Sequence, residues 1–136
     1  MAILDTNVLL RYLTEDNPEQ ATRALAILER IEAGSLTVTL PEGVLVEAVQ
    51  VLSSKRLYNV PREVIRTCLG AIVRLPAVQM VNKRTYLRAF DVYIESPQLS
   101  FVDALCVAHA QRTNDPTVIT FDRGFRAIPD INWLEP

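Results

Sequence analysis

Four carboxylates stand where apolar residues would be expected. Asp5 follows Ala2-Ile3-Leu4, and Asp122 follows Val118-Ile119-Thr120-Phe121. Each run reads as a short buried strand, so both acids fall at a strand's carboxyl end, the edge where open α/β sheets bind ligands. Glu47 interrupts Val44-Leu45-Val46 and Ala48-Val49, and on a helix its i−3 and i+4 neighbours are Val44 and Val51. Asp103 interrupts Phe101-Val102 and Ala104-Leu105-Cys106, with Cys106 and Val107 at i+3 and i+4. A charge on such a stripe is costly unless something compensates it.

Taken singly, each acid has an ordinary role. Asp5 can cap the following helix. Asp122 can serve a turn in Phe121-Asp122-Arg123-Gly124. Glu47 can reach solvent or pair with an arginine, and Asp103, three residues after Ser100, can complete a capping box. Taken together they point elsewhere. Two carboxylates ~5 Å apart repel by about 3 kcal/mol at an effective dielectric near 20, so a fold that gathers four needs a cation. Carboxylates without His or Cys select Mg²⁺ or Mn²⁺, with water and substrate phosphate completing the shell. The chemistry that fits is metal-assisted attack of water on a phosphodiester.

The elements that must position these acids follow from patterning. Ala2-Ile3-Leu4, Leu36 to Leu40, Val78 to Val81, Thr117 to Thr120 and Asn132 to Leu134 are strand-like. Between them lie helical stretches. Asn7 is positioned to cap a first one through Leu13. Pro18 opens a second that Gly34 stops. Pro41 and Pro61 open two more, Lys83 to Glu95 is amphipathic, and Ser100 caps one running to about Arg112. Short strands alternating with helices predict an α/β fold: a mainly parallel central sheet of four to five short strands with helices on both faces. No linker or shift in composition breaks the 136 residues, so residues 1–136 read as a single domain.

Composition narrows the function. Fourteen basic and sixteen acidic residues give a net charge of −2, so no broad basic footprint announces a nucleic-acid binder. Twelve of the fourteen are Arg, the side chain suited to bidentate phosphate contacts. The longest apolar run is five residues, too short for a membrane span, and Asp5 precedes the first basic residue, Arg11, against a signal peptide. Cys68 and Cys106 have no metal-ligand or disulfide-framework spacing, which fits two reduced thiols in a cytoplasmic protein.

Asp5-Thr6-Asn7-Val8-Leu9-Leu10 resembles the opening motif of PIN-domain nucleases. Val46-Glu47-Ala48-Val49, Ser100-Phe101-Val102-Asp103-Ala104-Leu105 and Thr120-Phe121-Asp122-Arg123-Gly124-Phe125 resemble the segments that carry their second, third and fourth acids. The resemblance spans essentially the whole chain and is strongest to the VapC-type ribonuclease toxins of toxin–antitoxin modules. It implies a Mg²⁺- or Mn²⁺-dependent endoribonuclease that is homodimeric and restrained by a small antitoxin protein. It also implies that Asp5, Glu47, Asp103 and Asp122 form the metal pocket. Asn7 and Thr120 match polar positions beside the first and fourth acids, suited to orienting a carboxylate or a water.

Arg11, Arg123 and Arg126 lie near the expected site edge and are candidates for RNA phosphates. His109, the only histidine, falls off the Asp103 face, so no histidine general base is expected. Cys106 reads as a small core residue. The leucine-rich stripes at 8–13 and 25–31 are candidates for a dimer interface or an antitoxin groove. A receiver-like signalling domain would need a late-strand lysine, and a haloacid-dehalogenase-like phosphatase an Asp at position 7, where Asn7 stands. A catalytically silent PIN fold that binds RNA or protein is the remaining alternative.

Overall fold

The computed structural model describes residues 1–136, which fall into two units, Met1–Lys83 and Arg84–Pro136. In the first, β1 (Ala2–Ile3), β2 (Val38–Thr39) and β3 (Val78–Gln79) pair in parallel in that order. The register aligns Ala2 with Val38 and Val78, and Ile3 with Thr39 and Gln79. Leu4 N–H to Thr39 O at 2.9 Å and Leu40 N–H to Gln79 O at 2.8 Å carry the pairing one step further. Alternation along the pleat buries Leu4, Val38, Leu40 and Val78, while Ile3 and Gln79 stay exposed.

Four helices complete this unit: α1 (Thr6–Leu13), α2 (Pro18–Glu32), α3 (Glu42–Ser53) and α4 (Arg62–Arg74). Proline sets their starts. Pro18 is the first residue of α2, where its missing N–H costs nothing, and Asn17 Oδ1 accepts from Gln20 N–H at 3.1 Å. Pro41 and Pro61 stand at the N-cap positions of α3 and α4. Past the end of α2, Gly34 adopts φ +78°, the left-handed turn that glycine makes without strain. Leu9, Leu28, Ile31, Leu45, Val49, Leu52, Ile65 and Leu69 supply the buried stripes. In the leucine-rich segments of α1 and α2, Leu9, Leu10, Leu28 and Ile31 are buried, while Leu25 and Tyr12 are exposed.

The second unit holds most of α5 (Lys83–Glu95), then α6 (Phe101–Gln111), β4 (Thr117–Ile119) and β5 (Asn132–Leu134). Its core is aromatic: Phe101 meets Phe90 at 4.9 Å and stands edge-on to Tyr93 at 5.6 Å. β4 and β5 pair in parallel, Ile119 opposite Leu134. The α/β class and the parallel pairing agree with the sequence reading, and the five strands are bonded as a set of three and a set of two.

Two expectations change. Asn7 does not cap α1: the helix starts at Thr6, and Asp5 occupies the cap position. The strand-like runs at 36–40 and 78–81 shorten to two residues each, Val38–Thr39 and Val78–Gln79, the residues that pair in register. No helix is long and apolar enough to cross a membrane.

Candidate active site

Asp5 leaves the carboxyl end of β1 and stands at the N-cap of α1 in extended conformation (φ −94°, ψ 159°), yet its side chain makes no capping hydrogen bond. The cap role is therefore unused, and the exposed carboxylate is held at a strand end and a helix N-terminus together.

Glu47 projects from α3. It neither pairs with an arginine nor simply reaches solvent: Thr6 Oγ1, in a buried residue, donates to Glu47 Oε2 at 2.9 Å. Thr6 directly follows Asp5, so one hydroxyl ties the second acid to the segment that carries the first. Sequence reasoning missed Thr6, because a threonine opening a helix has no pattern that names a partner 41 residues away.

Asp103 and Asp122 lie in the second unit, and each gives one oxygen to the backbone. Ser100 and Asp103 form a reciprocal capping box at the start of α6. Ser100 N–H donates to Asp103 Oδ2 at 3.2 Å, and Asp103 N–H donates to Ser100 Oγ at 3.1 Å. Asp122 Oδ1 accepts from Gly124 N–H at 2.8 Å, capping the single 3₁₀ turn at 123–125. The ordinary roles foreseen for these two acids are real, and each leaves its second oxygen outside the cap.

Thr120 supports the fourth acid through the main chain, its Oγ1 accepting from Asp122 N–H at 3.0 Å. Asn7 is exposed in the first turn of α1. Arg11 is engaged within its own unit, donating to Gln20 Oε1 at 2.7 Å and pairing with Asp16 at 3.3 Å. Arg123 and Arg126 are exposed, and the Arg126 guanidinium lies 5.4 Å from the centre of the Trp133 ring. His109 is exposed in the last turn of α6. Cys106 is an exposed residue rather than a core one. Desolvation of its sulfur, and then the nearby Asp103 charge, push its thiol above the usual range, which disfavours a thiolate at neutral pH.

Two cavities lie in the first unit. One, of about 330 Å³, opens at the carboxyl ends of β2 and β3, lined by Thr39, Leu40, Pro41, Glu42, Gln79, Met80 and Val81. Glu42 there accepts from Asn82 Nδ2 at 3.2 Å, and Asn82 is fixed in a left-handed conformation at φ 58°. The other, of about 310 Å³, is bordered by Tyr12, Leu28, Thr67, Cys68 and Ile72 among others.

No group of three or more His, Cys, Asp and Glu is drawn together as a metal cage. The donors that are available suit a hard cation in kind, since all are carboxylate oxygens. Mg²⁺ in particular keeps several waters and is commonly held by one or two protein carboxylates together with substrate phosphate. Asp5 makes no cap bond and Glu47 is oriented by Thr6, so both are carboxylate donors of that kind.

Parallel strands followed by acids at their carboxyl ends, with further acids on helices, define an α/β protein. The family model for the PIN domain matches residues 2–131, and the chain belongs to the PIN-domain family. PIN domains are nuclease domains that generally use divalent metal ions and bind RNA, so the coarse function is hydrolysis of nucleic-acid phosphodiesters. The assignment removes the receiver-like and phosphatase alternatives. No curated protein matches the sequence.

Proposed function

We propose that this chain is a Mg²⁺- or Mn²⁺-dependent endoribonuclease. We propose further that it is the toxin component of a type II toxin–antitoxin module, cytoplasmic, homodimeric and restrained by a small antitoxin. The observation that carries the reading is the PIN-domain match over residues 2–131, a span that contains the acids at positions 5, 47, 103 and 122. In this reading residues 1–136 act as one nuclease domain, and the four acids supply the carboxylates for the divalent ion. The ion, when bound, polarises the phosphodiester and activates the attacking water.

The chain's own residues then have distinct tasks. Asp5 offers a carboxylate that owes nothing to a cap. Thr6 holds Glu47 in one orientation. Asp103 and Asp122, each anchored through one oxygen, offer the other. Asn7 and Thr120 orient neighbouring groups, Arg123 and Arg126 take substrate phosphates, and Arg11 does so only by leaving Asp16. An antitoxin that places a basic side chain among the acids would satisfy the same charge without metal. The cavity beside Tyr12 and Leu28 gives it an apolar foothold.

A second reading, a PIN domain that binds RNA or protein without cleaving it, is favoured by the capping bonds of Asp103 and Asp122, which need no metal. Purified chain, free of antitoxin, separates the two. Cleavage of single-stranded RNA with Mn²⁺ or Mg²⁺, abolished by EDTA, supports the nuclease. Binding without cleavage under either ion supports the silent module.

A further inference from the structure

We infer that the turn following β4 is a nucleobase-stacking platform for an unpaired stretch of RNA, centred on Phe121 and completed by Arg126 over Trp133; this rests on the ribonuclease reading above. Phe121 is 71% exposed, although folding normally covers an aromatic ring of that size. Nothing about the turn is loose. Asp122 N–H is fixed on Thr120 Oγ1 at 3.0 Å, Gly124 N–H on Asp122 Oδ1 at 2.8 Å, and Trp133 Nε1–H on Thr120 O at 3.1 Å. The residues on both sides of Phe121 are pinned, so the ring is offered to solvent with little ordering left for a ligand to impose.

The surroundings match a nucleotide's two halves. Ile119, two residues before Phe121, and Leu134, opposite Ile119 in the ladder, are 66% and 50% exposed and add apolar surface to these two strands. Arg126 stacks its guanidinium on Trp133 at 5.4 Å, an arrangement that leaves the N–H edge free to meet a phosphate, and Arg123 is exposed in the same turn. Asp122, Asp130 and Glu135 share the segment, so no broad positive field steers an anion here. Recognition must come from stacking plus point contacts to phosphate. Single-stranded RNA can splay a base onto the ring; an A-form duplex keeps its bases stacked. A protein partner would use the same apolar area but would have no need of a π face.

Trp133 is the only tryptophan, so its fluorescence reports on the platform directly. A single-stranded oligouridylate of roughly ten nucleotides is titrated into the full chain in EDTA, where metal-dependent cleavage does not interfere. The expected result is saturable quenching. Affinity falls about tenfold or more for Phe121→Ala and Phe121→Leu, is kept by Phe121→Tyr, and is about tenfold weaker for duplex RNA of equal length. Circular dichroism checks that the variants fold alike. Wild-type chain that does not bind the strand, or Phe121→Leu that binds as well as wild type, overturns the platform; the latter result marks an apolar protein-docking surface instead. Cleavage with Mn²⁺ is scored separately. A chain that binds through Phe121 and cuts nothing overturns the nuclease and leaves the platform standing, whereas cleavage with Phe121→Ala affinity undiminished overturns the platform alone.

Discussion

The hydroxyl of Thr6 and the carboxylate of Glu47 meet at 2.9 Å, joining the first turn of α1 to the middle of α3. The donor belongs to a residue only 5% exposed, while the acceptor belongs to an exposed one. One oxygen of Glu47 is thereby fixed next to the residue that follows Asp5, and the carboxylate gains an orientation that a solvent-facing glutamate would lack.

That geometry predicts a separation of activity from stability for Thr6→Val. Valine keeps the branched shape and removes the donor. Glu47 is exposed and can turn to water, so the stability cost stays within about 1 kcal/mol. Cleavage should fall roughly tenfold, and the Mn²⁺ concentration for half-maximal rate should rise, because the carboxylate loses its orientation. Thr6→Ser should restore both. A normal metal titration for Thr6→Val would show that the bond is structural only.

Asp103 has a cap role and a proposed metal role, and two substitutions divide them. Asn at this position keeps an oxygen for Ser100 N–H and removes the charge; Ala removes both. Asp103→Ala should lower stability by about 1 kcal/mol and Asp103→Asn by less, as thermal melts will show. Both should reduce cleavage by about 10²-fold or more. Full activity in Asp103→Asn would confine Asp103 to capping.

Asp5 has no cap bond to lose, so Asp5→Asn should melt within about 0.5 kcal/mol of wild type while cleavage drops by about 10²-fold or more. His109→Ala, at an exposed site, should stay within about threefold of wild-type rate. Loss of activity in His109→Ala with the fold intact would point to a histidine acid or base.

Asp16 provides a pH signature in the first unit. Hydrogen bonds from Tyr58 at 2.7 Å and Thr14 at 2.8 Å, followed by the Arg11 charge, hold its carboxyl below the ordinary aspartate value. A carboxyl whose pKa is depressed by folding adds stability above its unfolded pKa, and loses that contribution as pH falls through the folded value. Wild type should therefore melt above Asp16→Asn at pH 7, and the gap should close as pH drops below about 4. A gap independent of pH would mean that Asp16 acts through shape alone.

Much of this protein is written in local patterns. Pro18, Pro41 and Pro61 mark helix starts because their fixed φ and missing N–H suit no other place in those runs. The span of α5 and that of β5 are readable from periodicity alone. The capping box at Ser100 and Asp103 and the turn at Asp122 are equally local, since each bond closes over two or three residues. The candidate acids stood out for a related reason: a charge inside an apolar run is conspicuous whatever surrounds it in space.

What the tertiary structure alone decided concerns partners distant in sequence. Strand ladders form only where another strand arrives in register, which cut the runs at 36–40 and 78–81 to Val38–Thr39 and Val78–Gln79. The start of α1 at Thr6, with Asp5 rather than Asn7 at its cap, follows from where β1 releases the chain. Whether a small side chain is covered depends on neighbours that sequence does not name, and so Cys106 is exposed and Thr6 buried. The sequence by itself determined which groups carry charge and which segments form helices. The pairing of Thr6 with Glu47 could be decided only by folding, because a hydrogen bond across 41 residues depends on where two helices pack and leaves no periodic trace in either.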